Sequence, residues 1–578
     1  MSGLMLAFAT ATARAGCNGE ITPLHVLAGS SRAHERVEVR GVVTSVFPGM
    51  RGFFLETPRV GWDADPSTPE AVFVYGGRHA LPVERGWLIA FDARYHLFHG
   101  VPELSHVRTL THCGHHDLPV AVDLQLPLVP GAWKAHLGMR VRMAQALTVG
   151  DLDDFVRYGE VRVSAGGRHY APTALTVPGP GAASLARAAS ARMLWLDDGS
   201  YRAHPQSLSL GGQAFDARHP LRAGQRLQGV SGIAWHAFGR DLLEVTALEH
   251  TAGIHPRRTV DDLNLPPGLR LVSFNVENFF NRARSGPVFP TERGAHTASQ
   301  FRCQTQKLVS ALSVLRPAVA GLQEIENNGY GSGGALATLT GALDRHGGSA
   351  DYRFVRLPHR TQLGTDLIAP ALVYDARRVS PVGRVAVLAA PAGSRALEAG
   401  LRRPALAASF RGADGRVFTT VVVHLRSKRS TCGTALDGHD GAGHCAAARD
   451  RAARYVARWA RGRPTGVKTG AVLLLGDFNA YPHEAAMADL RRAGWVTEPA
   501  LTPARPGYTE SGRWGAGRLD YILLAPGVAS RVRAAAIWHS DADEAPGFGY
   551  AGRPACTGPA APYRASDHDP VIVVLGAR

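Results

Sequence analysis

The apolar run from Ala471 to Leu475 is long enough for a buried strand, and it opens into Gly476-Asp477-Phe478-Asn479. A carboxylate and a carboxamide presented where a strand becomes a loop are a common way to build a site on a rigid scaffold. Further segments repeat the pattern. Leu271 to Phe274 ends at Asn275, Ala318 to Leu322 ends at Gln323-Glu324, and Phe418 to Val423 ends at His424. Asp520 leads the run Tyr521 to Leu524, and Ser566-Asp567-His568-Asp569-Pro570 precedes the run Val571 to Leu575. Taken singly, each is also an ordinary Asp/Asn turn, and a lone histidine in a strand is ordinarily a core or edge residue. Their recurrence within one stretch of chain argues for a site. Together they supply oxygen ligands for a hard divalent cation and groups for acid–base work.

The elements that must position these residues alternate. Gln300 to Arg316 carries Phe301, Leu308, Leu312 and Leu315 at helical spacing and stops at Pro317. Ala446 to Arg461 is Ala/Arg-rich with Tyr455, Val456 and Trp459 toward one face. Helices interleaved with strands of this kind predict an α/β fold, a two-sheet β-sandwich flanked by helices, over residues 269–578. The N-terminal half differs. Arg36 to Thr44, Gly52 to Glu56 and Trp87 to Phe91 are short alternating runs that predict a small closed β-sheet over 17–118. Gly138 to Met143, Gly159 to Val163 and Arg226 to Val230 predict a second all-β unit over 119–252, and 253–268, with His255-Pro256 and Leu265-Pro-Pro-Gly268, reads as a linker.

At 578 residues the chain exceeds a single core. With 45% apolar and 19% charged residues it is globular rather than disordered. The formal net charge of +16 suits a polyanionic partner, although GC-rich coding could also favour Arg over Lys. The six cysteines form an even set without a CxxC pair, which predicts disulfides and an oxidising compartment, with buried free thiols as the other reading. Bracketing pairs Cys432 with Cys445 around a Gly-rich loop and Cys17 with Cys113 around one N-terminal segment, leaving Cys303 with Cys556. Residues 1–16 look like a signal-peptide remnant, with Ala13-Arg14-Ala15 as an A-x-A cleavage site. A secreted or periplasmic protein is expected, extracellular above all. No stretch approaches 18 uninterrupted apolar residues, so no membrane anchor is expected.

Phe274-Asn275, Gln323-Glu324, His424, Gly476-Asp477-Phe478-Asn479, Leu519-Asp520-Tyr521 and Ser566-Asp567-His568 stand in the order that resembles the endonuclease/exonuclease/phosphatase superfamily, the fold of pancreatic-type deoxyribonuclease. Phe274 to Phe279, Glu324 to Gly329, Gly364-Thr-Asp366 and the cysteine-bracketed insert after His424 look like the large extracellular nucleases of Gram-negative bacteria, whose N-terminal domains are OB-like. The resemblance implies Asn275, Glu324 and Asp567 as metal ligands, with Mg²⁺ as the ion, Mn²⁺ as a substitute and Ca²⁺ as a structural alternative. It implies His424, Asp477, Asn479, Asp520 and His568 as catalytic residues, Asp520 fixing the imidazole of His568. Asn278, Arg426 and Arg518 are candidates for contact with substrate. Phe53, Phe54, Trp235, Phe238 and Arg240 would suit stacking on unpaired bases, or would be barrel core. The resulting expectation is a secreted, monomeric, metal-dependent deoxyribonuclease, with action on RNA left open. Two alternatives remain: a phosphatase or phosphodiesterase acting on inositol or sphingolipid head groups, and a non-catalytic DNA-binding matrix protein.

Overall fold

The computed structural model describes residues 16–28, 34–78, 81–205, 207–252, 257–283, 286–346, 348–357, 362–433, 437, 440–497, 506–552, 556 and 561–576. The expected signal remnant at Ala13-Arg14-Ala15 and the His255-Pro256 part of the expected linker lie outside the described residues.

Five strands, β1 (Arg36–Phe47), β2 (Gly52–Glu56), β3 (Ala71–Tyr75), β4 (Trp87–Phe98) and β5 (Val101–His115), close into a barrel in the order β1-β2-β3-β5-β4. Alternation supplies its core, with Val37, Val39, Phe53, Leu55, Val72, Val74, Ile89 and Phe91 all buried inside. The Cys17–Cys113 disulfide ties the segment before the barrel to β5.

The next strands are β6 (Val122–Leu124), β7 (Arg140–Met143), β8 (Leu147–Val149), β9 (Val161–Ala165), β10 (Met193–Asp197), β11 (Leu208–Leu210), β12 (Gln213–Phe215), β13 (Arg226–Ala237) and β14 (Arg240–Ala252). Seven of them form one sheet, β14-β10-β9-β8-β13-β7-β6, and β11 pairs with β12 alone.

Aromatic side chains join this sheet to the barrel. Phe54 and Phe73 of the barrel meet Trp235 of β13 with ring centroids 5.1 and 5.4 Å apart. Phe53, Phe54 and Trp235 are therefore core residues, the second of the two readings open to them in the sequence; packing against neighbouring strands covers their rings and leaves no face for unpaired bases. Phe238 remains exposed, and Arg240 lies over Trp195 while pairing with Glu160.

The C-terminal half builds β15 (Leu269–Phe279), β16 (Val319–Glu326), β17 (Tyr352–Phe354), β18 (Ile368–Asp375), β19 (Val379–Leu388), β20 (Ala405–Gly412), β21 (Val417–His424), β22 (Val472–Asp477), β23 (Glu510–Gly512), β24 (Gly515–Gly517), β25 (Asp520–Leu524), β26 (Val532–Ile537) and β27 (Val571–Leu575). One sheet runs β17-β18-β16-β15-β27-β26 and the other β19-β20-β21-β22-β25. Alternation explains the layering. Leu473 and Leu475 of β22 point between the sheets with Leu271, Val319, Val422 and Val573, whereas Leu474 points outward to the helices Ala446–Arg461 and Ala485–Arg492. The other sheet is covered by Ala298–Leu315 and Ala335–His346, which bury Leu308, Leu312, Leu336 and Leu339. Fully burying each such aliphatic side chain contributes about 1.5–3 kcal/mol.

Residues 257–268 are packed on this sandwich rather than strung freely ahead of it. Val260 joins its core, and the indole of Trp538 donates to the carbonyl of Arg258 at 2.6 Å. The seven-stranded unit also docks here. Arg168 bonds Asp543 at 2.8 Å, Arg222 and Arg257 converge on Glu544, and Tyr170 bridges to Ala516.

Candidate active site

Three strands of the five-stranded sheet bring polar end residues into line, β21 and β22 at their C-termini and the antiparallel β25 at its N-terminus. His424 of β21 is registered with Asp477 of β22, which is registered with Asp520 of β25. The apolar runs hold these strands in the core, so the polar residues at their ends can move little. Gly476 is required at that point: a Cβ there would lie 2.0 Å from the carbonyl oxygen of Val423.

The other sheet brings Asn275 and Glu324 to the same edge through irregular backbone. The β15–β16 register shifts between Asn275 and Phe279, and the β16–β18 register shifts between Leu322 and Ile325. Glu324 has φ +69°, and Glu277 and Asn278 have φ +52° and +51°. Bulges of this kind re-aim a side chain that a regular strand would point into the core or away from it.

Hydrogen bonds fix the constellation. Asn275 Nδ2 donates to Asp477 Oδ2 at 3.3 Å, and the Glu277 amide donates to Asn275 Oδ1 at 3.1 Å. The Asn278 amide donates to Glu324 Oε2 at 3.0 Å, so Asn278 reaches the site through its backbone. Asn479 donates through its amide to Asp477 Oδ1 at 2.7 Å and through Nδ2 to Oδ2 at 2.9 Å. His424 Nε2 lies 3.5 Å from Asp477 Oδ2 and 3.9 Å from Glu324 Oε1. His568 Nδ1 is 2.7 Å from Asp520 Oδ2, which also accepts from Thr509 Oγ1 at 2.6 Å. Ser566 Oγ donates to the Asn275 carbonyl at 2.6 Å, tying the segment before β27 to β15. Asp569 instead organises the adjoining loop, where its Oδ1 accepts the amides of Asp541 and Ala542 and its Oδ2 pairs with His539.

Electrostatics separate the two histidines. Burial, reinforced by Arg403, holds His424 well below the ordinary imidazole range, so it is neutral. Burial also opposes a charge on His568, but Asp520 and Asp567 outweigh it and raise the imidazole well above 6.5. Burial and then Asp520 push Asp477 up to about 7. Glu324 is raised by burial and by Asp567, and Glu277 reaches about 8 for the same two reasons. Asp567 moves the other way: burial would raise it, but His568 and Arg564 lower it.

These repulsions test whether the residues fit a cation. Asn275, Glu324 and Asp567 offer a set of hard oxygens, and the mutual repulsion of Glu324, Glu277 and Asp567 is what a divalent ion relieves. Ligand atoms of Asp477, Asp520 and His568 also lie within 4.8 Å of one another. In that group, however, His568 Nδ1 and Asp520 Oδ2 already bond each other, and all three residues are buried. That cluster is a hydrogen-bonded relay, and the partly exposed Glu324 and Asp567 fit the ion better.

The arrangement reaches beyond the residues legible in the sequence. Arg293, Arg402 and Arg403 converge on Asp366 beside His424, and Arg426 stands in their field. Arg518 is buried, with Nε donating to the Asp520 carbonyl and its guanidinium 4.5 Å from the Tyr521 ring centroid, so it braces Asp520 instead of meeting solvent as a substrate contact would. A cavity of about 200 Å³ opens beside Glu277 and Asp567, between Arg429, Glu510 and Arg564 on one side and Leu152 of the seven-stranded unit on the other. Burial raises Glu510 to about 7 there. A larger cavity of about 540 Å³, lined by Tyr352, Arg356 and Tyr374, lies at the opposite end of the strands, away from this chemistry. Thr509 and the Arg293–Arg403 rim sit in loops, Glu510 opens the three-residue strand β23, and Glu277 stands in irregular backbone; of these only Glu277, inside the Asn275 motif, had a sequence signal.

The structure also pairs Cys303 with Cys556 and Cys432 with Cys445. The second pair is also held by Asp437, whose Oδ1 accepts the amides of both Cys432 and Cys445.

A two-sheet sandwich with this edge defines a phosphoester-hydrolysing class. The Endonuclease/Exonuclease/phosphatase family matches residues 272–568, more than half of the chain, and the protein belongs to that family. It is a metal-coordinating hydrolase of phosphoester or phosphodiester groups. No curated protein matches the chain in sequence. Among solved structures it is similar to the human Nocturnin catalytic domain with bound sulfate anion, at 16% identity over 54% of this chain and 94% of that chain, TM-score 0.33. It is similar to D. rerio TDP2 complexed with single-strand DNA product, at 14% identity over 53% and 98%, TM-score 0.33. It is also similar to a Bacteroides thetaiotaomicron mannosyl-6-phosphatase, at 15% identity over 53% and 99%, TM-score 0.31. At these scores the likenesses carry no argument about substrate. Among the described residues, no helix is long and apolar enough to cross a membrane.

Proposed function

We propose that the protein is a secreted, monomeric, Mg²⁺-dependent nuclease that hydrolyses phosphodiester bonds of extracellular DNA, acting as an endonuclease. The observation that carries this reading is the cationic rim beside His424, where Arg293, Arg402 and Arg403 gather on Asp366 and Arg426 stands in their field. Such a rim suits a substrate with phosphates on both sides of the scissile one. The net charge of +16 agrees with it. The N-terminal units are read as OB-like domains over 17–118 and 119–252 ahead of a catalytic domain over 269–578, and the closed five-stranded barrel supports the first of them. Three disulfides support an oxidising, extracellular setting.

Hydrolysis needs an in-line water, neutralised phosphate charge and a proton for the leaving oxygen. Asn275, Glu324 and Asp567 would hold the ion, which when bound supplies charge neutralisation at the phosphate. Asp520 fixes the orientation of His568. In its neutral form His568 can take the proton of the attacking water, and the leaving oxygen takes its proton from solvent; the imidazolium so formed donates a hydrogen bond toward the phosphate. Neutral His424 meets the scissile phosphate with one N–H. Asn479 and Asp477 align these groups, and Arg518 braces Asp520.

The test is a substrate panel with purified protein and Mg²⁺: supercoiled plasmid, single-stranded DNA, RNA, an inositol polyphosphate and sphingomyelin. Plasmid nicking with no release from the last two substrates is expected. Turnover of a head group without nicking would assign the site to a phosphatase or lipid phosphodiesterase, and binding without any turnover would make the protein a DNA-binding matrix component.

A further inference from the structure

His25, Asp63 and Glu70 come together on the N-terminal barrel, far in sequence from the hydrolytic site. His25 lies in the one-turn helix Leu24–Leu27, whose Leu24 and Leu27 are buried in the barrel core. Tyr95 donates its hydroxyl to the Leu27 carbonyl at 2.8 Å, and the Cys17–Cys113 disulfide holds the segment from its other end. Asp63 and Glu70 belong to the connection between β2 and β3. The loop is built around them: the Asp63 amide donates to Glu70 Oε1 at 2.6 Å, and Asp63 accepts from the Asp65 amide and from Thr68 Oγ1. One ligand atom from each of the three residues can be chosen so that all lie within 4.8 Å.

Among the described residues, two buried atoms of this cluster have no hydrogen-bond partner. They are Nδ1 of His25 and Oε2 of Glu70, and Glu70 is only 2% exposed. Nearby, Glu56 is fully buried, and its Oε1 is also unpartnered among the described residues. An unsatisfied buried carboxylate oxygen is costly enough to need an explanation. A plain imidazolium–carboxylate pair would close to about 2.7–2.9 Å. The observed separations are longer, 3.3 Å from His25 Nδ1 to Glu70 Oε1 and 3.8 Å from His25 Nε2 to Asp63 Oδ2. Ligand bonds of about 2.0–2.2 Å in a tetrahedron put donor atoms roughly 3.3–3.5 Å apart, which the His25 Nδ1–Glu70 Oε1 separation matches; an imidazole gives an ion only one nitrogen, so Asp63 joins through the wider grouping within 4.8 Å.

We propose that His25, Asp63 and Glu70 bind a structural divalent transition metal, zinc by preference, that pins the N-terminal segment to the β2–β3 loop. Imidazole in the donor set selects zinc over magnesium or calcium, and the partial exposure of His25 and Asp63 leaves the fourth position to water. The pinned loop also touches the second β unit, because the Glu70 amide lies 3.4 Å from Sδ of Met139. The ion would therefore stiffen the junction between the two N-terminal units.

The test uses the full chain, loaded with zinc and dialysed against buffer with excess Mg²⁺ to occupy the oxygen site. Zinc content, affinity against a chromogenic chelator and melting temperature are then read for wild type, His25→Ala, Asp63→Asn and Glu324→Gln. One retained equivalent is expected in wild type and in Glu324→Gln, with affinity lower by at least about ten-fold in His25→Ala and in Asp63→Asn. Zinc should raise the melting temperature of wild type and not of those two variants. Nicking activity of His25→Ala should match wild type. No retained zinc in wild type would overturn the proposal and leave an ordinary ion pair, and so would equal affinity in wild type and both barrel variants.

Discussion

Oδ2 of Asp520 and Nδ1 of His568, 2.7 Å apart, join the two sheets of the sandwich at the site. Asp520 begins β25 of the five-stranded sheet, and His568 precedes β27 of the other. The proton relay is thereby built from the packing of the sheets themselves. Asp520→Asn should lower kcat by roughly 10²-fold, the usual scale for an acid–base group, and so should His568→Ala. The double variant should lose little more, because the two residues act as one unit. Steady-state rates at saturating substrate check this, and additive losses would show that each residue works separately.

Glu324 is held above its ordinary range by burial and by Asp567, so its charge costs stability while no ion is bound. Glu324→Gln should leave the melting temperature in EDTA unchanged or raise it slightly, and should abolish its increase on adding Mg²⁺. A Mg²⁺-dependent rise that persists in the variant would move the ion elsewhere, with Asp477 and Asp520 as the next candidates.

The Cys432–Cys445 disulfide closes a short loop, with a sequence separation of 13, after β21. Closing a loop of about 15 residues contributes roughly 3 kcal/mol in the chain-entropy model. Replacing both cysteines by serine should cut activity and open the segment to limited proteolysis between 433 and 445. An undiminished rate with unchanged proteolysis would mean that Asp437, accepting the amides of Cys432 and Cys445, holds the turn without the bridge.

Burial raises Glu56 from 4.5 to about 8 and Glu160 to about 7. A folded-state value above the unfolded one means stability that is fully present below pH 4.5 and is lost as pH rises toward 8. In EDTA, the unfolding of the N-terminal units should therefore move down by several degrees between pH 5 and pH 8, with about 1 kcal/mol corresponding to roughly 4–8 °C in a unit of about 100 residues. Glu56→Gln should flatten part of that slope. A melting temperature that rises over this interval would contradict the assignment.

The legible part of the fold followed from periodicity. Leu473 to Leu475 alternates between two cores, and Ala298–Leu315 and Ala446–Arg461 formed helices where spacing and Pro317 placed them. His424, Asp477 and Asp520 could be singled out because polar residues interrupt apolar strands. Their mutual register could not be read, since it depends on strand order. Thr509, Glu510 and Arg403 come close to them only through tertiary folding and stand in segments without a period. Phe53, Phe54 and Trp235 show the limit of composition: aromatic residues with basic neighbours look alike whether they stack on bases or on one another. The barrel interior buries Phe53, and the packing of β13 across the barrel buries Phe54 and Trp235.

Metal-dependent cleavage of DNA at the edge shared by Asn275, Glu324 and His568 stands or falls on the initial rate of supercoiled-plasmid nicking. The rate is to be taken for wild type and Glu324→Gln, each with Mg²⁺, with excess EDTA, and with Mg²⁺ restored. Wild type should nick, lose that activity in EDTA and regain it with Mg²⁺. Glu324→Gln should be slower by at least about 10²-fold with the fold intact. Undiminished nicking in EDTA, or by Glu324→Gln, would contradict a metal-dependent site at this edge.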